Sequence, residues 1–225
     1  VIGRIAAAIP AYEAAATVAA VVAGTRPHVA DLVVVDDGSH DGTGDAARAA
    51  GAEVLVHPRN LGKGRALRTA FDTLFARGAD AVVTLDADGQ HRPDQIPFLI
   101  DGAGLGADLV LGTRDHVFDA MSAVRRASNR WSSVAISAVA GVQLRDIQTG
   151  FRLYTRGLVD ACGFPEPRFE AESAVIIRAA RRGLRIEIVP VRMDVVDGRA
   201  TSHYRPLVDS LRIAVAVAKA RLEHA

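Results

Sequence analysis

Cysteine occurs once in the 225 residues, at Cys162. A disulfide framework and a cysteine-based metal site are therefore excluded, and a reducing compartment fits. No apolar run reaches the roughly 18 residues that a membrane-spanning helix needs. The longest uncharged segment, Trp131 to Leu144, suits a core helix or an interfacial segment better. The opening VIGRIAAAIPAY lacks the form of a signal peptide, because its apolar run is short and leads into a strand–turn pattern. Net charge is only +1, so no global field invites nucleic acid. No repeat, low-complexity tract or linker divides the chain, and 49% hydrophobic residues are enough for one domain with a sizeable core. Nucleotide signatures are missing too. The first strand–helix loop has no G-x-G-x-x-G, which argues against a dinucleotide enzyme. Asn60 to Lys63 lacks the spacing and following Ser/Thr of a Walker A loop. A nucleotidyltransferase is disfavoured because the first loop is neither glycine-rich nor basic.

The most informative stretch is Asp80 to Asp94, DAVVTLDADGQHRPD. Ala81 to Leu85 has the length and β-branching of a buried strand. Asp86, Asp88, Gly89, Gln90 and His91 follow at once, and Pro93 opens a helical pattern. In extended geometry Asp86 and Asp88 point the same way. Two carboxylates and an amide oxygen suit a hard divalent cation that completes its shell with water and phosphate. A solvated acidic turn, with Asp94 capping the next helix, fits the Asp-x-Asp pair equally well.

Around this stretch, strand and helix patterns alternate. Arg4–Ile9 reads as a strand ended by Pro10, Asp31–Val35 as a second, Glu53–Val56 as a third and Asp108–Gly112 as one more. Helical patterns cover Ala14–Ala23, Thr43–Ala50 (capped by Ser39 or Asp41) and Arg65–Ala76, the last stopped by Gly78. Farther on come a long helix over Ala120–Val139, a loop over 141–151 and a helix from Arg168–Glu172 to near Arg182. An alternating strand, Arg185–Val189, has a Pro190 that suggests a sheet edge, and a final helix opens at Pro206. The alternation predicts a doubly wound, mostly parallel sheet with helices on both faces. Three strand ends carry polar loops, at Glu13, at Asp36/Asp37 and at Asp86/Asp88, and such a sheet sets them side by side. Between Gly112 and Arg156 seven Arg stand against three Asp, a local basic excess suited either to phosphate or to solvated helix faces.

Six motifs in this order resemble family 2 glycosyltransferases of the GT-A fold, in the dolichyl/polyprenyl-phosphate mannose or glucose synthase branch. They are Ile9-Pro10-Ala11-Tyr12, Val34-Val35-Asp36-Asp37-Gly38-Ser39, Asn60-Leu61-Gly62-Lys63-Gly64, Leu85-Asp86-Ala87-Asp88-Gly89-Gln90-His91, Gln148-Thr149-Gly150-Phe151 and Ser202-His203-Tyr204-Arg205. The chain departs from the family in placing Glu13 directly after Tyr12, where the family has Asn-Glu. The resemblance implies one GT-A domain over 1–225, with 1–112 as the nucleotide-sugar half and 113–225 as the acceptor half. It implies that Pro10, Tyr12, Glu13, Asp36 and Asp37 hold base and ribose, by ring stacking and carboxylate hydrogen bonds. Lys63 reaches a phosphate from a flexible turn at Gly62 and Gly64, and Asp86, Asp88 and Gln90 hold Mg²⁺ or Mn²⁺ on the diphosphate. Arg114, Arg125 or Arg126, and Arg205 resemble phosphate-facing arginines, whose fork matches phosphate oxygens. Glu170 and Glu172 are acceptor-side carboxylates or a solvated helix start, and His203 is a loop residue. The implied reaction is inverting transfer of a hexose from a donor of the GDP-mannose or UDP-glucose type to a polyprenyl phosphate. Its ionised oxygen needs no strong base. A sugar-hydroxyl acceptor would need one, from Asp146, Glu170 or Glu172. A non-catalytic nucleotide-sugar-binding domain is the remaining alternative. A cytoplasmic protein is implied, peripheral at the inner face of the membrane if the acceptor is a lipid.

Overall fold

The computed structural model describes residues 3–113 and 149–194, together with Val215 and Lys219. The strands are β1 (Ile5–Ala11), β2 (Asp31–Asp36), β3 (Glu53–Val56), β4 (Ala81–Thr84), β5 (Leu109–Thr113), β6 (Arg152–Thr155) and β7 (Ile186–Pro190). The α-helices are α1 (Val18–Thr25), α2 (Thr43–Ala49), α3 (Lys63–Ala76), α4 (Ile96–Gly104), α5 (Arg156–Cys162) and α6 (Glu170–Arg181). The strands form one sheet in the order β3-β2-β1-β4-β6-β5-β7. All pairings are parallel except those of β6, which runs antiparallel to β4 and β5.

Strand periodicity explains the two layers. Ala6, Ala8, Val33 and Val35 face one side and pack with Phe71, Leu74 and Ile176 of α3 and α6. Ala7, Ile9, Leu32 and Val34 face the other and pack with Val18, Val22 and Leu99 of α1 and α4. With both faces covered, the inner strands are apolar throughout instead of alternating. Phe71 joins the α3 layer to β6 and the segment after α5, with ring centroids 5.1 Å from Tyr154 and 5.2 Å from Phe164. The end of α3 is closed by Arg156, whose guanidinium donates to the carbonyls of Phe75 and Ala79. Phe75 lies in the last turn of α3 and Ala79 just beyond its end.

Several sequence expectations need correction. Pro10 does not end β1, which runs on to Ala11 with Pro10 opposite Val35. On the other flank the β1–β4 ladder stops at Ala8 opposite Thr84. The missing N–H of Pro10 falls on that flank, where no ladder partner waits. Strand β6 and helix α5 lie in the stretch 152–167, between the expected loop over 141–151 and the expected helix from Arg168, to which the sequence pattern assigns no element. Helix α3 starts at Lys63, two residues before the expected Arg65. Asp94 does not cap α4: it lies in a 3₁₀ turn, Pro93–Gln95, paired with Arg92. Asp41, not Ser39, serves the start of α2, accepting from the Thr43 amide at 3.0 Å and from its hydroxyl. Pro190 does stand on an edge strand, β7. The expected helix over Ala120–Val139 lies outside the described residues, as does the one from Pro206 apart from Val215 and Lys219, which are both helical.

Gly62 and Gly64 are not a flexible turn. A Cβ on Gly62 would run into the Pro167 carbonyl, and one on Gly64 into the Glu166 carbonyl. These glycines let the start of α3 press against the backbone before α6, and the Arg65 amide donates to Pro167 O at 3.0 Å. Gly64→Ala should therefore cost about 3 kcal/mol by overpacking against rigid backbone. Gly157→Ala, where the added methyl meets open space, should raise stability by about 0.5 kcal/mol. Urea unfolding of the two variants measures both; equal midpoints would contradict the packing at α3.

Candidate active site at the C-terminal sheet edge

Parallel strands end on a common edge, so the segments after β1, β2, β3 and β4 meet there. Because β6 is antiparallel, its beginning lies at the same edge, with Arg152 opposite Thr84. Thr149 and Gly150 thereby arrive beside Asp86. Gly150 is so close that a Cβ there would overlap the Asp86 carboxylate. The Thr84 hydroxyl donates to Gly150 O at 2.8 Å and fixes the approach.

At the centre lies Lys63, the first residue of α3. Its ammonium is 2.6 Å from Asp86 Oδ1 and 2.9 Å from Glu172 Oε2, and its side chain is only 12% exposed. Burial alone pulls the amine's pKa down, but the two carboxylates outweigh it and hold the group above the ordinary lysine value. Glu172 is in turn held by Arg152, which is fully buried. Arg152 Nε is 3.9 Å from Glu172 Oε1, and the guanidinium donates to Glu172 O at 2.6 Å and Thr149 O at 2.8 Å. Burial works against the Arg152 charge, while Tyr154 and Glu172 support it and leave its pKa raised. Sequence reasoning missed Arg152; an arginine inside the apolar run Phe151–Tyr154 was the available signal. Glu170 and Glu172 are both buried, so the solvated helix start is excluded.

The Asp86–His91 segment is not extended but turns at Ala87–Asp88. Asp88 Oδ1 accepts from the Gln90 amide at 3.0 Å, and Thr17 of the segment before α1 donates to Ala87 O at 2.6 Å. The Asp86 amide donates to His91 Nδ1 at 2.9 Å, which leaves the ring proton on Nε2. His91 is buried and stacked on Phe151. The segment is held on its far side by Asp194, whose amide donates to Gln90 O. Asp86, Asp88 and Gln90 thus share one tethered turn whose donors are all oxygens, a set that fits Mg²⁺ or Mn²⁺.

The other expected residues fall as follows. Pro10 and Tyr12 stand half-buried at the end of β1. Glu13 adopts φ 51° and accepts from the His40 amide, which ties the β1 loop to the β2 loop. Asp36 accepts from the Ser39 amide at 2.9 Å. Asp37 is buried and accepts from His57 Nδ1, Leu61 N and Gly62 N. Arg114, Arg125, Arg126, Asp146, His203 and Arg205 lie outside the described residues. Among the described residues no helix is long and apolar enough to cross a membrane.

The model of a family described as Glycosyl transferase family 2 matches residues 7–163. Glycosyltransferase AglJ of Haloferax volcanii is 33% identical over 80% of this chain and 60% of its own length. The undecaprenyl-phosphate mannosyltransferase of Micrococcus luteus is 35% identical over 72% of this chain and 70% of its own. Thus the chain spans less than two thirds of AglJ. Among solved structures, glucosyl-3-phosphoglycerate synthase from Mycobacterium tuberculosis is similar. In complex with UDP it has a TM-score of 0.77 at 25% identity, over 99% of this chain and 82% of that one. In complex with Mn²⁺ and UDP-glucose the values are 0.75 and 26%, over 97% and 79%.

Removing the Lys63 charge tests the central network. The raised Lys63 pKa means that its contribution is complete below the ordinary lysine value and is lost only as pH rises through the folded one; at neutral pH it acts in full. Lys63→Met should cost about 3 kcal/mol at pH 8 by removing the cation that Asp86 and Glu172 share. Chemical denaturation decides this; an unchanged midpoint in the variant would contradict it.

Proposed function

The chain belongs to glycosyl transferase family 2, and on that premise we propose that it transfers a hexose from a nucleotide diphosphate sugar to a polyprenyl phosphate, with inversion at the anomeric carbon. The observation that carries this reading is the gathering of the Asp86–Gln90 turn, Lys63 and the loops after β1 and β2 on one sheet edge. The undecaprenyl-phosphate mannosyltransferase supports the lipid-phosphate acceptor, and the synthase crystallised with Mn²⁺ and UDP-glucose supports donor and metal. In this reading Pro10, Tyr12, Glu13, Asp36 and Asp37 form the base and ribose side. Asp86, Asp88 and Gln90 hold Mg²⁺ or Mn²⁺. Bound there, the cation neutralises charge developing on the leaving diphosphate. Lys63 places a buried positive charge beside the same carboxylate, where low dielectric strengthens it. Arg114, Arg126 and Arg205 supply the acceptor phosphate with forked donors. A phosphate oxygen ionised at neutral pH attacks without a general base.

One observation favours a second reading, transfer to a hydroxyl of a sugar or small molecule. Among the described residues Glu170 Oε2 and Glu172 Oε1 are buried with no hydrogen-bond partner, and a hydroxyl acceptor would both satisfy one and need a base.

A transfer screen separates the two readings. With UDP- and GDP-sugars, product should form on polyprenyl phosphate, vanish in chelator and vanish in Asp88→Ala with its melting temperature kept. Arg126→Ala and Arg205→Ala should lower transfer about 100-fold, a loss of roughly 3 kcal/mol of transition-state stabilisation, with nucleotide affinity nearly unchanged. Full activity in chelator would remove the metal. Transfer to a water-soluble hydroxyl with none to lipid phosphate would establish the second reading.

A further inference from the structure

Behind the site lies a chain of three side chains, His57 and Asp37 buried and Thr69 half-buried. His57 Nδ1 is 2.7 Å from Asp37 Oδ1, and His57 Nε2 is 3.0 Å from the Thr69 hydroxyl. The imidazole is nearly enclosed, at 10% exposure, and Asp37 is at 5%. Each ring nitrogen therefore contacts a different element: Asp37 follows β2, and Thr69 lies in α3, six residues after Lys63. The same Asp37 carboxylate receives the amides of Leu61 at 2.9 Å and Gly62 at 2.8 Å. These are the two residues that lead into Lys63. Of the four lone-pair positions a carboxylate offers, three are filled by one turn of chain and the ring that braces it.

That geometry leaves little slack at Lys63. Gly62 has φ 102°, a conformation that suits glycine, and a Cβ there would run into the Pro167 carbonyl. At Gly38, next to Asp37, a Cβ would likewise run into the backbone of Arg59 and Asn60. A shift of the 61–62 amides cannot be absorbed by the turn and passes on to Lys63 and so to Asp86. Helix α3 is thus fixed to the end of β2 at two points, through the Leu61 and Gly62 amides just before it by Asp37 and through Thr69 by His57.

From this we infer that His57 is a positioning residue: through Asp37 and Thr69 it fixes the axial placement of α3, and with it the Lys63 ammonium against Asp86. It touches neither donor nor acceptor. Without the ring, Asp37 lacks one donor in a buried place, and the Leu61 and Gly62 amides lose their fixed acceptor. The consequence is weaker binding of the diphosphate, because its cationic side is displaced. The inference rests on the proposed nucleotide-sugar reading of the site.

The test is calorimetric titration of UDP and GDP with Mn²⁺ into wild type, His57→Leu, His57→Asn and Thr69→Val, each well below its melting temperature. His57→Leu should weaken binding of the accepted nucleotide about tenfold or more, the range for removing a partner that orients a ligand-holding group. His57→Asn, whose amide still donates to Asp37, should recover most of the affinity. Thr69→Val removes only the second anchor and should lose about threefold, short of the tenfold range; it carries the test if His57→Leu fails to fold. A purely structural histidine would lower melting temperatures and leave the affinity of folded protein unchanged, and that result in both His57→Leu and Thr69→Val overturns the inference alone. No nucleotide binding by wild type overturns the site reading and the inference with it.

Discussion

A lysine ammonium held inside a protein between two carboxylates is a demanding arrangement, and much of this molecule is built to keep it. Desolvating Lys63 is unfavourable by itself, and only close contact with Asp86 and Glu172 offsets that cost. Each partner comes from a different part of the chain: Lys63 opens α3, Asp86 follows β4 and Glu172 lies in the first turn of α6. Their meeting therefore depends on the sheet order and on the tight seat of α3 at Gly62 and Gly64. Arg152 adds a second cation behind Glu172, so charge alternates from Asp86 through Lys63 and Glu172 to Arg152.

The reversed strand β6 matters for the same reason. A parallel strand in its place would send its beginning to the opposite edge. Running antiparallel, β6 brings Thr149, Gly150 and Arg152 to the edge where Asp86 emerges. Gly150 permits the close approach, the Thr84 hydroxyl holds its carbonyl, and Arg152 extends the ionic chain. Sheet topology and site chemistry meet here in five residues.

Much of this was legible in the sequence, because strand signals between buried layers are strong. The β-branched runs at Val33–Val35 and Val54–Val56, and the abrupt change from Leu85 to Asp86, located β2, β3 and β4 to within a residue. The strand-end loops at Glu13, Asp36/Asp37 and Asp86/Asp88 followed. What stayed hidden depended on contacts between distant segments. Arg152–Thr155 is only four residues long and carries a buried arginine, so its strand character appears only beside β4 and β5. The glycines before and after Lys63 looked like turn residues because nothing local reveals the carbonyls of Glu166 and Pro167. Asp37 and His57 are twenty residues apart, and no periodicity links them. Lys63 itself was assigned to a phosphate, whereas its ion pair with Asp86 and Glu172 emerged only from the fold.

In the proposed function this edge holds a nucleoside diphosphate through a divalent cation on the Asp86–Gln90 turn. Electron paramagnetic resonance of Mn²⁺ measures this directly, because the free-ion signal falls as the metal is bound. Titrating Mn²⁺ into wild type with a saturating nucleoside diphosphate should remove about one equivalent of free signal beyond that taken up by the nucleotide alone, and Asp88→Ala should abolish the difference. Equal free Mn²⁺ with and without the wild-type protein, or undiminished uptake by Asp88→Ala, would contradict it.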